Sequence, residues 1–245
     1  MQLDALVLRL RAGTPAESAD LGVRLCQRAA RSLYACHALA FLPLLARALA
    51  SASLASWLPA LVLWWGKPWL DRTLVYVLSR AAFGQPTRLR DLWAAQRQVW
   101  WQQWWRSWTL RRLSMSRAFT QPVHQLEQLG GAARRRRLRQ LRAGHLAASR
   151  LLTGAFSTAE TALCLGLVAL VFWFMPPGYD TERVLDALGS GEGLAITVAT
   201  TLGYAAVVFF LEPFYVAAGF SMYLGRRVEL EAWDIEQELR HAFSR

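Results

Sequence analysis

Two apolar runs, residues 151–175 and 193–224, constrain this chain more than anything else in it. Each holds one carboxylate, Glu160 and Glu212, and no basic residue. A hydrocarbon core of ~30 Å takes ~20 helical residues to cross, so each run is long enough to span it. The expected fold is therefore all-α: a polytopic helical membrane protein with about four transmembrane helices, plus interfacial and cytoplasmic amphipathic helices.

Composition supports this reading. The chain is 54% hydrophobic with a formal charge of +11, and its basic excess is almost pure arginine, Lys67 being the one lysine. Such one-sided usage fits a GC-rich bacterial coding bias and is not read as selection for phosphate binding. Cys26, Cys36 and Cys164 are odd in number and lack close spacing, which argues against a disulfide framework or zinc site. The four histidines are dispersed, and no nucleophile, phosphate-loop or metal motif stands out. No catalytic residue, metal or cofactor is expected, and residues 1–12 carry no apolar core of leader type.

The organisation follows from where apolar and charged stretches alternate. Residues 1–31 read as an amphipathic N-terminal segment broken near Gly13-Thr14-Pro15. Residues 32–84 form a first transmembrane hairpin, its second arm kinked at Pro68. Residues 85–150 hold a Trp-rich helix and a basic segment, 151–225 a second hairpin, and 226–245 an amphipathic tail. Trp93, Trp100, Trp101, Trp104, Trp105 and Trp108 recur at helical spacing. Indoles favour the headgroup layer, so a helix lying in the interface is expected there. A nucleic-acid stacking platform wants separated, exposed rings, and no nucleic-acid partner is expected.

Residues 111–143 hold nine arginines against one carboxylate, Glu127. Basic flanks stay in the cytoplasm. This segment, the N-terminal arginines and Arg226-Arg227 together place both ends inside, with loop 176–192 outside. Arg134, Arg135, Arg136, Arg137, Arg139 and Arg142 are expected to meet anionic lipid headgroups, at ~1 kcal/mol each, or an acidic protein partner. The tail residues Glu231, Asp234 and Glu238 share a helical face and could dock on that basic segment; two solvated faces are the plainer alternative.

With this orientation Lys67, Asp71, Arg72, Glu160 and Glu212 fall at one depth in the inner half of the bilayer. Charges inside a membrane pair or line a cavity. Two readings follow: a structural ion-pair network, or a polar site for a solute, a proton or a lipid headgroup.

Three stretches also carry a resemblance: WWGKPWLDRTLVYVLSRAAFG (64–84), LRRLSMSRAFTQPVHQLEQLGGAARRRR (110–137) and EPFYVAAGFSMYLGRRVELEAWDIEQELR (212–240). Together they resemble an uncharacterised family of bacterial inner-membrane proteins, sometimes the membrane region ahead of a C-terminal domain of unknown function. Its members tend to be encoded near MoxR-type ATPases, von Willebrand-type proteins and transglutaminase-like membrane proteins. The resemblance implies a non-enzymatic subunit or scaffold of an envelope complex and supplies no catalytic residues. The alternative expectation is a small transporter or channel component using Glu160 and Glu212.

Overall fold

The structure is a computed structural model that describes residues 13–101, 114–127, 129–176 and 193–231, together with Glu182, Leu185, Asp186 and Gly189. Among these residues every regular element is helical, as a chain built from apolar runs requires.

The first helix, α1 (Pro15–Arg28), begins where the sequence breaks. Thr14 accepts from the Glu17 amide at 3.2 Å, the Glu17 carboxylate accepts from the Thr14 amide at 3.2 Å, and Pro15 opens the first turn. This is a capping box, which satisfies two of the amide donors a helix start leaves open. Helix α2 (Ala30–Ala50) runs into a 3₁₀ turn at Ser51–Ser53, and α3 (Leu58–Ala82) returns alongside it. A Cβ on Gly66 would lie 2.4 Å from Leu44, so that glycine sets how closely α2 and α3 approach.

After a short helix α4 (Leu89–Ala94) and a π-helical turn (Arg97–Trp101), the described chain resumes before α5 (Arg117–Gln125). Then come α6 (Gly131–Arg142), α7 (Leu146–Trp173) and the 38-residue α8 (Leu194–Glu231).

The core forms around the C-terminal half of α8. Val216, Phe220 and Tyr223 pack with Leu25 and Cys26 of α1, Leu74 and Leu78 of α3, and Phe119 and Val123 of α5. Close approach is built in by small residues. A Cβ at Gly22 would meet the Ala217 carbonyl oxygen at 2.3 Å, and one at Gly219 would meet the Ala118 Cβ at 2.4 Å. A second cluster joins Phe41, Leu44, Leu63 and Leu70 to Ala205 and Val208 of α8.

Three helices among the described residues are long and apolar enough to cross a membrane: Ala30–Ser53, Leu146–Trp173 and Leu194–Glu231. The chain is a helical membrane protein. Helix α7 leaves its flank open, with Leu165 64% and Trp173 84% exposed, as lipid-facing residues should be. Helix α3 has 25 residues but carries Lys67, Asp71 and Arg72 at its centre, all of them buried.

The Trp-rich stretch, expected from the sequence to be a helix lying in the interface, is helical where it is described, with a π-turn within it. Its described part is the six-residue α4, packed on α2, followed by the π-turn, packed on α3. Arg80 reaches Asp91 at 3.9 Å, and the Trp100 indole donates to the Thr73 hydroxyl at 2.9 Å. Helical spacing alone could not foresee this, because the partner that draws Trp100 inward is a hydroxyl on another helix. Trp104, Trp105 and Trp108 lie outside the described residues.

Candidate functional site: a buried ion-pair cluster

The cluster starts from Lys67, one turn before the middle of α3. Pro68 follows it and cannot donate to the Trp64 carbonyl, which loosens the helix there. The Lys67 ammonium bridges both carboxylate oxygens of Glu160 on α7, at 2.6 and 2.5 Å, and lies 3.6 Å from Glu212 on α8. It also stands 5.7 Å from the Tyr204 ring centroid.

The second cation is Arg117, the first residue of α5. Its Nε sits 2.7 Å from Asp71, off the hydrogen-bond axis, so that contact is Coulombic. Its Nη2 donates to Glu212, and its guanidinium lies 5.2 Å from the Tyr215 ring centroid. Burial works against the Arg117 charge, but Asp71 and then Glu212 outweigh it and raise its pKa above the ordinary guanidinium value. Glu212 thus receives Lys67 from one side and Arg117 from the other, and α3, α5, α7 and α8 meet through five charges.

Hydroxyls complete the seam between α7 and α8. Thr153 donates to the Met115 carbonyl at 2.6 Å and lies 3.0 Å from the Tyr215 hydroxyl. A cavity of about 450 Å³ borders the cluster, with Lys67, Arg117, Glu160, Glu212, Thr153 and Tyr215 in its wall.

Of the residues expected to meet at one depth, Lys67, Asp71, Glu160 and Glu212 come together. Arg72 turns to the opposite flank of α3, where its Nε donates to the Val99 carbonyl at 2.5 Å and its Nη2 to the Gln98 carbonyl at 3.4 Å. Arg117 was counted among the basic cytoplasmic residues, yet only 6% of its side chain is exposed. A signal was present: across residues 113–126 it is the single charged side chain apart from the neutral His124, set off from the arginines on either side.

The arginines of α6 divide by direction. Arg135, Arg136 and Arg139 are exposed. Arg137 turns inward, 3.1 Å from Glu127 and bonded to Glu231 at the end of α8. Partial burial opposes its charge, but Glu231 and Glu127 prevail and raise its pKa. Arg134 and Arg142 are half-buried. Glu231 of the tail therefore docks on the basic segment, while Asp234 and Glu238 lie outside the described residues. Tyr223 reinforces the junction by donating to Glu127 at 2.7 Å.

Trp93 and Trp101 are exposed on the π-turn side, whereas Trp100 is half-buried against Trp69. No group of His, Cys, Asp and Glu among the described residues could hold a metal ion. His37 is sealed between Phe41 and Phe209, with ring centroids 5.6 and 5.0 Å away. Compared with protein-family models, curated proteins and solved structures, the chain matches none of them.

Proposed function

We propose that the chain is a non-enzymatic integral membrane subunit, a scaffold of an envelope complex in the bacterial inner membrane. One observation carries this reading: the buried charges are spent on one another. Lys67 closes on Glu160 at 2.5 Å and Arg117 on Asp71 at 2.7 Å, in contacts that tie helices together. A group committed this way holds packing; it is not poised to attack or to shuttle a proton.

In this account α3 is a fourth pass. At ~1.5 Å per residue its 25 residues reach ~37 Å, and its charges face other helices instead of lipid, as intramembrane charges must. Four passes put both termini and α6 in the cytoplasm, in keeping with the basic flanks. Exposed Arg135, Arg136 and Arg139 then form a platform for anionic headgroups and for an acidic protein partner. The resemblance read from the sequence supports the same assignment.

Affinity purification from native membranes in mild detergent, with mass spectrometry of what accompanies the chain, tests it. A stoichiometric envelope protein or ATPase is the expected result, lost on Arg135→Glu/Arg136→Glu/Arg139→Glu. A monodisperse chain carrying lipid alone would refute the scaffold role.

The cavity beside Glu160 and Glu212 favours one second reading, a small transporter or channel component. It requires stable Glu160→Gln and Glu212→Gln proteins that have lost a pH-dependent flux. Flux untouched by both substitutions eliminates it.

A further inference from the structure

The π-turn is irregular backbone packed on α3, the helix assigned above as the fourth pass, and its polar groups need partners. Irregular backbone survives at membrane depth only where protein covers it. Arg72 supplies the cover, since its guanidinium takes the Gln98 and Val99 carbonyls. Buried arginine is thereby used to fix the backbone from which Trp100 packs against Trp69 while Trp101 stays exposed. A π-turn presents its side chains off the usual helical register and often marks a functional site.

What this turn builds is a groove. Trp100 and Trp101 face Trp65, Trp69 and Leu61 of α3 across about 540 Å³, and the wall includes Arg47 of α2. Apart from Arg47 the wall is tryptophan, aliphatic side chains, proline and glycine. Arg47 is exposed and has no ion-pair partner among the described residues. It sits one turn before the Ser51–Ser53 turn that ends α2. From there a long side chain can carry its charge to the headgroup layer. The groove thus runs from a lone cation near a helix end into a wholly apolar interior.

We propose that a phospholipid occupies this groove, with one acyl chain against the four tryptophans and its phosphate on Arg47. The apolar solvent at this depth is lipid chain, and a guanidinium is a good phosphate partner because its planar fork donates two bonds at once. The site lies at the opposite end of α3 from the α6 platform, so it stands whether or not a protein partner binds there.

The test uses the full chain in mild detergent with added phosphatidylglycerol, read by native mass spectrometry. Arg135→Ala/Arg136→Ala/Arg139→Ala serves as background to remove lipid held by α6. One tightly retained lipid is expected in that background. Arg47→Gln should lower its retention about fivefold, the equivalent of ~1 kcal/mol for one headgroup contact. Leu61→Trp, which fills the groove without altering charge, should lower it at least as much. Both positions are exposed, and circular dichroism of each variant confirms an intact fold. Retention unchanged in both variants overturns the proposal. So does loss of a bound protein chain in place of lipid, which would give the groove to another helix.

Discussion

Arg117 is where the account is most exposed to test, because one side chain bridges three helices from a segment its sequence assigns elsewhere. Arg117→Met keeps most of the aliphatic volume and removes the charge. Asp71, with a side chain 0% exposed, loses the cation at 2.7 Å, while Glu212 keeps Lys67 at 3.6 Å. Deleting the cation from a buried ion pair costs about 3–5 kcal/mol. The local loss thus falls chiefly on Asp71, and Asp71→Asn should relieve it. In the double variant both charges are gone, and the coupling energy should be about 2 kcal/mol, within the range seen for directly contacting residues. Arg72→Met, one residue away but bonded to the Val99 carbonyl, should destabilise without rescue by Asp71→Asn. Reversible unfolding in mixed detergent–SDS micelles, followed by tryptophan fluorescence, measures the wild type, the single variants and both doubles. Effects of Arg117→Met and Asp71→Asn that add to within about 0.5 kcal/mol would refute the pairing.

Other outcomes follow from the same contacts. Gly219→Val should cost about 1–3 kcal/mol by overpacking, since even a Cβ there would lie 2.4 Å from Ala118, and Ala118→Gly should recover part of the lost melting temperature. Lys67→Met should lower membrane accumulation more than Lys67→Met/Glu160→Gln does, as quantified by immunoblot; equal losses would show that the 2.5 Å pair is not a unit. Burial pushes the Cys26 thiol up from 9.0 to about 12. The unfolded chain therefore ionises first as pH rises, and stability should fall between pH 9 and about 12 by up to ~1.4 kcal/mol per unit. Cys26→Ala should flatten that slope in detergent melts; an unchanged slope would remove the thiol from the explanation.

What could be read in the sequence was whatever depends on one helix at a time. The apolar lengths at 151–175 and 193–224 dictate helices of spanning length, and these are present as α7 and α8. Thr14-Pro15 with Glu17 encodes the start of α1 locally, through a cap. Positions that depend on a neighbour were harder to see. Counting inward by depth brought Lys67, Glu160 and Glu212 to one level, but depth carries no azimuth. It could not send Arg72 to the far flank of α3, where the Val99 carbonyl waits. Arg117 was masked by company: nine arginines in residues 111–143 read as one cytoplasmic block, although the short helix that this one opens folds back to Gly219 and Tyr215. Tryptophan periodicity likewise described a helix face and carried no sign of the π-turn within it.

The most direct test of the whole arrangement is the side of the membrane on which α3 begins. A chain stripped of its native cysteines is given a single one at Leu54, which is 77% exposed beside the α2–α3 turn, or at exposed Arg139 on α6. Intact right-side-out vesicles are then treated with a membrane-impermeant maleimide. The account predicts that Leu54→Cys is labelled at once and that Arg139→Cys is labelled only after permeabilisation. Labelling of both positions from the same face would mean that α3 does not cross, and the four-pass account would fail.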